Sequence, residues 1–155
     1  MQLKSSAFRA GGAIPAQYTC EGEDISPEFS WTDIPAGTKS LALILHDPDA
    51  PRAGGFTHWV VYDIDPSLSK IEENMPREEK PAGIGLQGKN DGGRIGYMGP
   101  CPPSGTHRYV ARLFALDTEL NLKPGAPHHE VESAMEGHIL EKAALMGTYA
   151  KKAAA

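Results

Sequence analysis

Apolar runs of strand length dominate the hydrophobic pattern of this chain. Residues 41–46 form an apolar run that polar residues bound on both sides, which is typical of a central strand buried on both faces. Other runs are rich in β-branched and aromatic residues, as strands are. The strands that these runs predict span residues 2–8, 29–31, 41–46, 57–64 and 108–116.

One segment near the C-terminus has the spacing of an amphipathic helix. Pro127 is tolerated in a first helical turn, and Glu130 is favourable there. Beyond this segment, the alternation of residues 144–150 predicts a last strand. The apolar residues that follow one another at helical intervals are Val131, Ala134, Met135, Ile139 and Ala143.

The order of these elements favours a mainly β protein. The linker over residues 65–90 is polar and interrupted by three prolines, so we expect short pieces of structure that its sequence does not place. Strands predominate and the single helix comes late. This order favours a β-sandwich or an α+β arrangement with Greek-key-like connections over a parallel βαβ sheet.

Composition and charge narrow the class of protein. With 155 residues, 40% of them hydrophobic, the chain fits one domain over residues 1–155 with a frayed tail at 151–155. The net charge is −5, and the sequence has no basic cluster longer than Lys151-Lys152. Both features argue against nucleic acid or an anionic membrane surface as a partner. No run approaches the roughly 18 apolar residues of a membrane-spanning helix, and no signal-peptide pattern begins the chain. We therefore expect a cytoplasmic protein.

The two cysteines, Cys20 and Cys101, are too few for a disulfide framework. In a reducing compartment the expectation is two free thiols. Both residues lie in loops rich in glycine and proline, so a conditional bridge remains open as the alternative.

The strand predicted at 108–116 begins beside one half of the candidate chemistry. His107 and Tyr109 lie two residues apart, so their side chains share one face while Arg108 points to the other. Both can therefore donate to the same ligand. The preceding loop, residues 99–105, contains three prolines and two glycines, which stiffen the backbone and permit close approach. A rigid turn with a surface histidine and a half-buried tyrosine is the alternative.

The turn after the strand predicted at 41–46 contains the other half of the candidate site residues. Asp47 and Asp49 are either turn residues that accept backbone N–H bonds or acceptors for an imidazole N–H. The second interpretation makes His58 the recipient, because it lies at the beginning of the next strand. Its neighbour Trp59 should then face the other way and join the core.

The remaining histidines are left outside the predicted site. His46 lies either beside the site or on the opposite face of its strand. His128 and His129 are interpreted as the solvated beginning of the helix, and His138 as a structural residue near its end.

These motifs together resemble the phosphatidylethanolamine-binding protein family, and most closely its prokaryotic branch, the Raf-kinase-inhibitor-like proteins. The motifs that carry the resemblance are DPDAP at 47–51, HW at 58–59, and GYMGPCPP at 96–103 leading to HRY at 107–109. Shorter matches, such as QGKND at 87–91 and GTY at 147–149, extend the resemblance over essentially the whole chain in order.

The resemblance implies a β-sandwich with a large antiparallel sheet, a smaller second sheet and one or two peripheral helices. It also implies a pocket for phosphate, acetate or phosphorylated head groups. We expect no turnover, cofactor or metal there. Because members of this branch often form homodimers, a homodimer is a further expectation. The pocket positions carried over by motif are Asp47, Asp49, His58, Gly99, Pro100, His107 and Tyr109.

The leading hypothesis is a non-enzymatic receptor for a small phosphorylated or carboxylate ligand. In it, His58 and His107 donate N–H bonds, Tyr109 donates an O–H, and the two aspartates orient the imidazoles. The Gly99-Pro100 backbone shapes the wall, and binding weakens as pH rises through the histidine range. The second hypothesis is an inhibitor of a kinase or serine protease that acts through a protein surface. The third is a metal-dependent hydrolase built on two histidines and an aspartate.

Overall fold

The computed structural model describes residues 1–152 as two antiparallel sheets and one α-helix. Lys151 and Lys152 have no regular secondary structure, and the rest of the predicted frayed tail, residues 153–155, lies outside the described residues. No helix in the described part is long and apolar enough to cross a membrane. The elements are β1 (Gln2–Lys4), β2 (Phe29–Thr32), β3 (Ser40–Asp47), β4 (Phe56–Ile64), β5 (Lys70–Ile71), β6 (Leu86–Gln87), β7 (His107–Leu116), α1 (His128–Met135) and β8 (Ile139–Tyr149).

Strand β3 lies at the centre of the larger sheet, whose order is β6-β4-β3-β7-β8. The smaller sheet has the order β1-β2-β5. Every pairing between these strands is antiparallel. The predicted β-sandwich with a large sheet, a smaller sheet and a peripheral helix is therefore confirmed, as is the central position of the strand at 41–46.

Alternation along β3 divides the apolar side chains between two cores. Leu41, Leu43 and Leu45 pack between the two sheets with Phe29 and Trp59. The residues between them, Ala42 and Ile44, pack on the opposite face, which α1 covers through Val131 and Met135. Burial on both faces explains why this strand reads as an unbroken apolar run.

The helix is shorter than its apolar spacing predicts. It ends at Met135, and Gly137 takes a φ of +79°, a left-handed conformation that glycine adopts without steric cost and that reverses the chain. The prediction that Ile139 and Ala143 extend the helix is therefore wrong. Both belong to β8, which pairs with β7 over almost its whole length, and long-range pairing decides between the two periods.

The first strand is also shorter than the sequence predicts, whereas the linker contains the short pieces of structure that were expected there. The first strand ends at Lys4 rather than at residue 8. Phe8 instead packs into the core between the sheets, edge-on to Phe29. The polar linker over residues 65–90 contains the two short strands β5 and β6, which its sequence did not locate.

The expectation of free thiols is also wrong. Cys20 and Cys101 form a disulfide that joins segments 81 residues apart. Cys101 belongs to the loop between β6 and β7, and the bond ties that loop to the segment after a short 3₁₀ turn at Ala16–Tyr18. Position in sequence could not reveal the pairing, because the two loops meet only in the folded sandwich.

The length of the closed loop predicts a large effect of the disulfide on stability. Replacing both cysteines by serine should lower the free energy of unfolding by about 4 kcal/mol, because the cross-link restricts the unfolded chain. Urea unfolding followed by circular dichroism measures it. Wild-type protein unfolded with reductant is the matched control, and it should lose a similar amount. A loss under about 1 kcal/mol in both samples would show that the bond contributes little.

Candidate functional site

The candidate site lies where the end of β3 meets the beginnings of β4 and β7. Asp47 is the last residue of β3, and His107 is the first of β7. Because β3 is antiparallel to both neighbours, its C-terminal end must meet their N-terminal ends. Strand direction therefore brings the three predicted motifs to one edge of the large sheet.

At this edge lies a cavity of about 270 Å³. Four of the seven predicted site residues line it: Asp47, His58, His107 and Tyr109. Asp49, Gly99 and Pro100 do not. The other lining residues are Ala50, Pro51, Arg52, Phe56, Met98, Cys101, Pro102 and Pro103, so most of the wall is apolar.

His107 is held by Asp47 across the β3–β7 pair. The imidazole Nδ1 lies 2.7 Å from Asp47 Oδ2, and both side chains are more than nine-tenths buried. The other carboxylate oxygen accepts the backbone N–H of Asp49 at 2.7 Å. Since a carboxylate only accepts, Nδ1 of His107 carries the proton and Nε2 is left for a ligand.

His58 reaches the cavity because of a bulge in β4. The pairing steps from Leu45–Trp59 to His46–Thr57, which leaves His58 as an extra residue. Such a bulge re-aims a side chain that strict alternation would place elsewhere. The prediction that Trp59 joins the core is confirmed, but the prediction that it faces away from His58 is wrong. Trp59 lies in the core between the sheets, in the same cluster as Tyr109 of the cavity wall.

The ring of His58 is held by one hydrogen bond and by two aromatic neighbours. Its Nδ1 donates to the carbonyl of Met98 at 2.6 Å, and the Met98 N–H donates back to the His58 carbonyl at 3.0 Å. The ring centroid lies 4.8 Å from that of Phe56 and 5.3 Å from that of Tyr109. Nε2 is again the nitrogen left over.

Burial lowers the pKa of His58, although the Met98 carbonyl and the charge of Asp47 act in the opposite direction. The neutral imidazole is therefore favoured near neutral pH, with a lone pair on Nε2. The hypothesis that His58 donates an N–H to an anion therefore concerns the protonated ring. His58 does so only after taking up a proton, and otherwise it accepts a hydrogen bond from the ligand.

The hydroxyl of Tyr109 is buried without a hydrogen-bond partner, alone in this respect among the buried side-chain polar atoms of residues 1–152. Burial, together with the nearby charges of Asp47 and Asp49, raises the pKa of Tyr109 well above its usual value. The hydroxyl thus keeps its proton and can donate it. An unsatisfied donor in a cavity wall is costly and marks a place for an acceptor on a ligand.

Asp49 does not orient an imidazole, contrary to the sequence prediction. Its carboxylate accepts the backbone N–H of Arg108 at 2.8 Å and two guanidinium N–H bonds at 2.8 and 3.0 Å. The Arg108 guanidinium holds the pKa of Asp49 far below its usual range. Asp49 therefore ties the turn after β3 to the beginning of β7, outside the cavity.

Gly99 and Pro100 position the loop between β6 and β7 and do not line the cavity. The Gly99 N–H donates to Asp24 Oδ1 at 2.8 Å, and a Cβ on Gly99 would collide with that carboxylate and with the Tyr18 carbonyl. The Pro100 carbonyl accepts the Cys20 N–H at 3.1 Å. Their neighbours on either side provide the lining.

His46 lies on the opposite face of the sheet. Its Nδ1 is 2.9 Å from Thr57 Oγ1, and it borders a separate hollow together with Arg112, Phe114 and His128. His128 is not simply solvated, because its ring nitrogens contact Asp91 and Glu132 at 3.0 and 3.2 Å. No three His, Cys, Asp or Glu side chains within residues 1–152 are grouped so as to hold a metal ion.

Sequence reasoning missed Arg52, Phe56 and Met98 as lining residues. Arg52 follows the predicted turn directly, and Phe56 lies two residues before His58, so spacing alone could have suggested both. Met98 is different. Its role depends on the carbonyl bonded to His58, which joins positions 40 residues apart and has no sequence signal.

Comparison with known proteins identifies the family. A sequence model described as phosphatidylethanolamine-binding protein matches residues 4–150. A UPF0098 protein of Methanothermobacter thermautotrophicus is 53% identical over 149 residues, which are 96% of this chain and 98% of the relative. A UPF0098 protein of Aquifex aeolicus is 51% identical over 152 residues, covering 96% and 88%.

Solved structures agree with the sequence comparison. A protein of Chlamydia trachomatis, described as a phosphatidylethanolamine-binding protein homolog, superposes with a TM-score of 0.88 at 42% identity, covering 97% of both chains. YbcL of Escherichia coli gives 0.89 at 30% identity, covering 97% and 98%. The carboxypeptidase Y inhibitor, solved with its cognate proteinase, gives 0.55 at 20% identity and shares the fold alone. The chain belongs to the phosphatidylethanolamine-binding protein family.

The unpartnered hydroxyl predicts an unusual response to mutation. Tyr109→Phe should leave the free energy of unfolding unchanged or raise it by up to about 1 kcal/mol, because it removes a buried donor that bonds to nothing. Urea unfolding measures this. Tyr97→Phe is the matched control: the Tyr97 hydroxyl is buried and donates to the Tyr18 carbonyl at 2.6 Å, so its loss should cost about 1 kcal/mol. Equal losses in the two variants would contradict this.

The lowered pKa of His58 also predicts a pH dependence. Its NMR titration midpoint in the folded protein should lie below the value of about 6.5 that the residue recovers in urea. The neutral form is the one that the fold favours. His58 therefore stabilises the protein fully above the unfolded pKa, and this contribution is lost as pH falls through the folded pKa. A folded midpoint above the unfolded one would refute the burial argument.

Proposed function

We propose that this member of the phosphatidylethanolamine-binding protein family binds small anions or phosphorylated head groups in the cavity between His58 and His107, without turnover. The observation that carries the proposal is the buried, unpartnered hydroxyl of Tyr109. Beside it, each imidazole donates its Nδ1–H to a protein acceptor, which leaves Nε2 for a ligand. A cavity of about 270 Å³ suits a ligand of a few heavy atoms.

The protonation states support a ligand that shares a proton with the site. A phosphoryl group can bring that proton on its own oxygen and donate it to Nε2 of neutral His58. A carboxylate carries none near neutral pH, so His58 must take the proton up from water. In both cases the result is one N–H–O bridge, strengthened by charge in an apolar surrounding.

The absence of turnover is part of the proposal. The Asp47–His107 pair resembles the orienting half of a general-base arrangement, but no serine, threonine or free cysteine among residues 1–152 lines the cavity. Cys101 is bonded to Cys20, and Ser104 is exposed and outside the cavity wall. Inhibition of a kinase or protease stays a second hypothesis, and no particular surface of the described residues favours it.

Acetate binding at two pH values tests this function, because acetate keeps one charge throughout. Affinity should fall about tenfold for each unit that pH rises above the folded pKa of His58, since binding then requires uptake of one proton. Isothermal titration calorimetry at about pH 5.5 and about pH 8 measures it. Repeating the titration in buffers of different ionisation enthalpy counts the proton directly.

Two variants sharpen the test. Tyr109→Phe should weaken acetate binding about tenfold at both pH values, because one hydrogen bond to a charged ligand is lost. Tyr97→Phe, outside the cavity, should leave affinity within about twofold of wild type. Tighter binding at the higher pH, or no effect of Tyr109→Phe, would refute the proposed site.

A further inference from the structure

Among residues 1–152, Arg52 is the only permanent cation in the lining of the cavity. It follows Pro51 in the turn that leads from β3 to β4, and its side chain is exposed. The guanidinium carbon lies 5.5 Å from the centroid of the Phe56 ring, a distance at which a cation is attracted to an aromatic face. The charge is therefore held at the mouth of the cavity.

Arg108 and Arg77, which lie on segments next to the site, have carboxylate partners, whereas Arg52 has none among residues 1–152. Arg108 pairs with Asp49, and Arg77 approaches Asp24. Within residues 1–152, Arg52 makes no ion pair; its contact is the face of Phe56. An aromatic platform restricts the side chain without neutralising its charge, so the planar guanidinium stays available for a ligand.

The groups inside the cavity can stabilise one negative charge on a ligand but not two. Tyr109 offers a neutral donor, and His58 offers one shared proton. The carboxylate of Asp47 lies in the same wall and repels a second negative charge. The net charge of −5 on the whole chain gives a dianion no general attraction. A doubly charged ligand therefore needs a cation at the mouth.

We propose that Arg52, held on Phe56, is the specificity-determining residue that makes this site prefer phosphomonoester dianions over carboxylates and phosphodiesters. The inference rests on the proposed function, since it concerns the ligand class of the same cavity. Tyr109 and His107 hold the phosphoryl group at the inner end together with His58, which takes up a proton from water as it does for a carboxylate. Arg52 binds the oxygens that carry the second charge, and their guanidinium contact can be bidentate.

Two probes of similar shape separate charge from size. Methyl phosphate is largely a dianion at about pH 7.5, because its second ionisation lies near pH 6, whereas dimethyl phosphate is a monoanion. Wild-type protein should bind methyl phosphate about tenfold more tightly in calorimetry. Arg52→Gln should weaken methyl phosphate about five- to tenfold and dimethyl phosphate less than about twofold, as expected for one partly exposed charged contact.

Two further variants serve as controls. Arg112→Gln removes the same charge from the opposite face of the sheet, where the side chain is exposed, and both affinities should stay within about twofold of wild type. Arg52→Lys keeps the charge but loses the planar fork, so it should recover only part of the preference.

The outcomes separate this inference from the proposed function. Suppose that wild type binds methyl phosphate and acetate, but Arg52→Gln leaves both affinities unchanged. The assignment of Arg52 is then overturned and the binding function stands. The same holds if Arg52→Gln weakens methyl phosphate, dimethyl phosphate and acetate equally. If Arg112→Gln weakens the binding of methyl phosphate as much as Arg52→Gln does, the general electrostatic field of the protein explains the preference, and Arg52 does not determine it. If wild type binds none of the probes, the proposed function fails and this inference fails with it.

Discussion

The hydrogen bond between Asp47 and His107 is the interaction on which the site depends. It joins residues 60 positions apart, and it forms because the last residue of β3 meets the first residue of β7 in an antiparallel sheet. A buried carboxylate is costly unless an N–H donor satisfies it. Here the donor also orients the imidazole. The same bond thus reduces the cost of burying Asp47 and leaves Nε2 of His107 for a ligand.

The remaining restraints act on the loops around this pair. The Cys20–Cys101 disulfide and the close approach at Gly99 hold the proline-rich loop against the N-terminal part of the chain. The Asp49–Arg108 contacts hold the turn after β3. Three of the residues that the motifs pointed to are therefore supports rather than lining. A binding site needs both kinds, because a cavity of this size keeps its shape only when its walls are fixed.

The chemistry of the cavity favours recognition through shared protons, with one cation added at the mouth. An apolar wall strengthens each hydrogen bond and disfavours unpaired charge. The hydroxyl of Tyr109 and one proton shared between His58 and the ligand can satisfy a single negative charge without a fixed cation inside. Arg52 then adds charge where solvent still reaches it, and the ligand class depends on that addition. The proposed selectivity thus comes from where each charge lies, rather than from how many charges the chain carries.

The sequence by itself determined the strands, the central position of β3 and the four lining residues Asp47, His58, His107 and Tyr109, because apolar periodicity and local motifs encode them. Only the tertiary structure decided how these residues are paired. It gave His107 rather than His58 to the aspartate, through strand order, and it turned His58 into the cavity through a bulge that alternation does not encode. It also joined the cysteines. Each of these outcomes depends on contacts between segments far apart in the chain, and no local pattern of residues specifies which distant segments will meet.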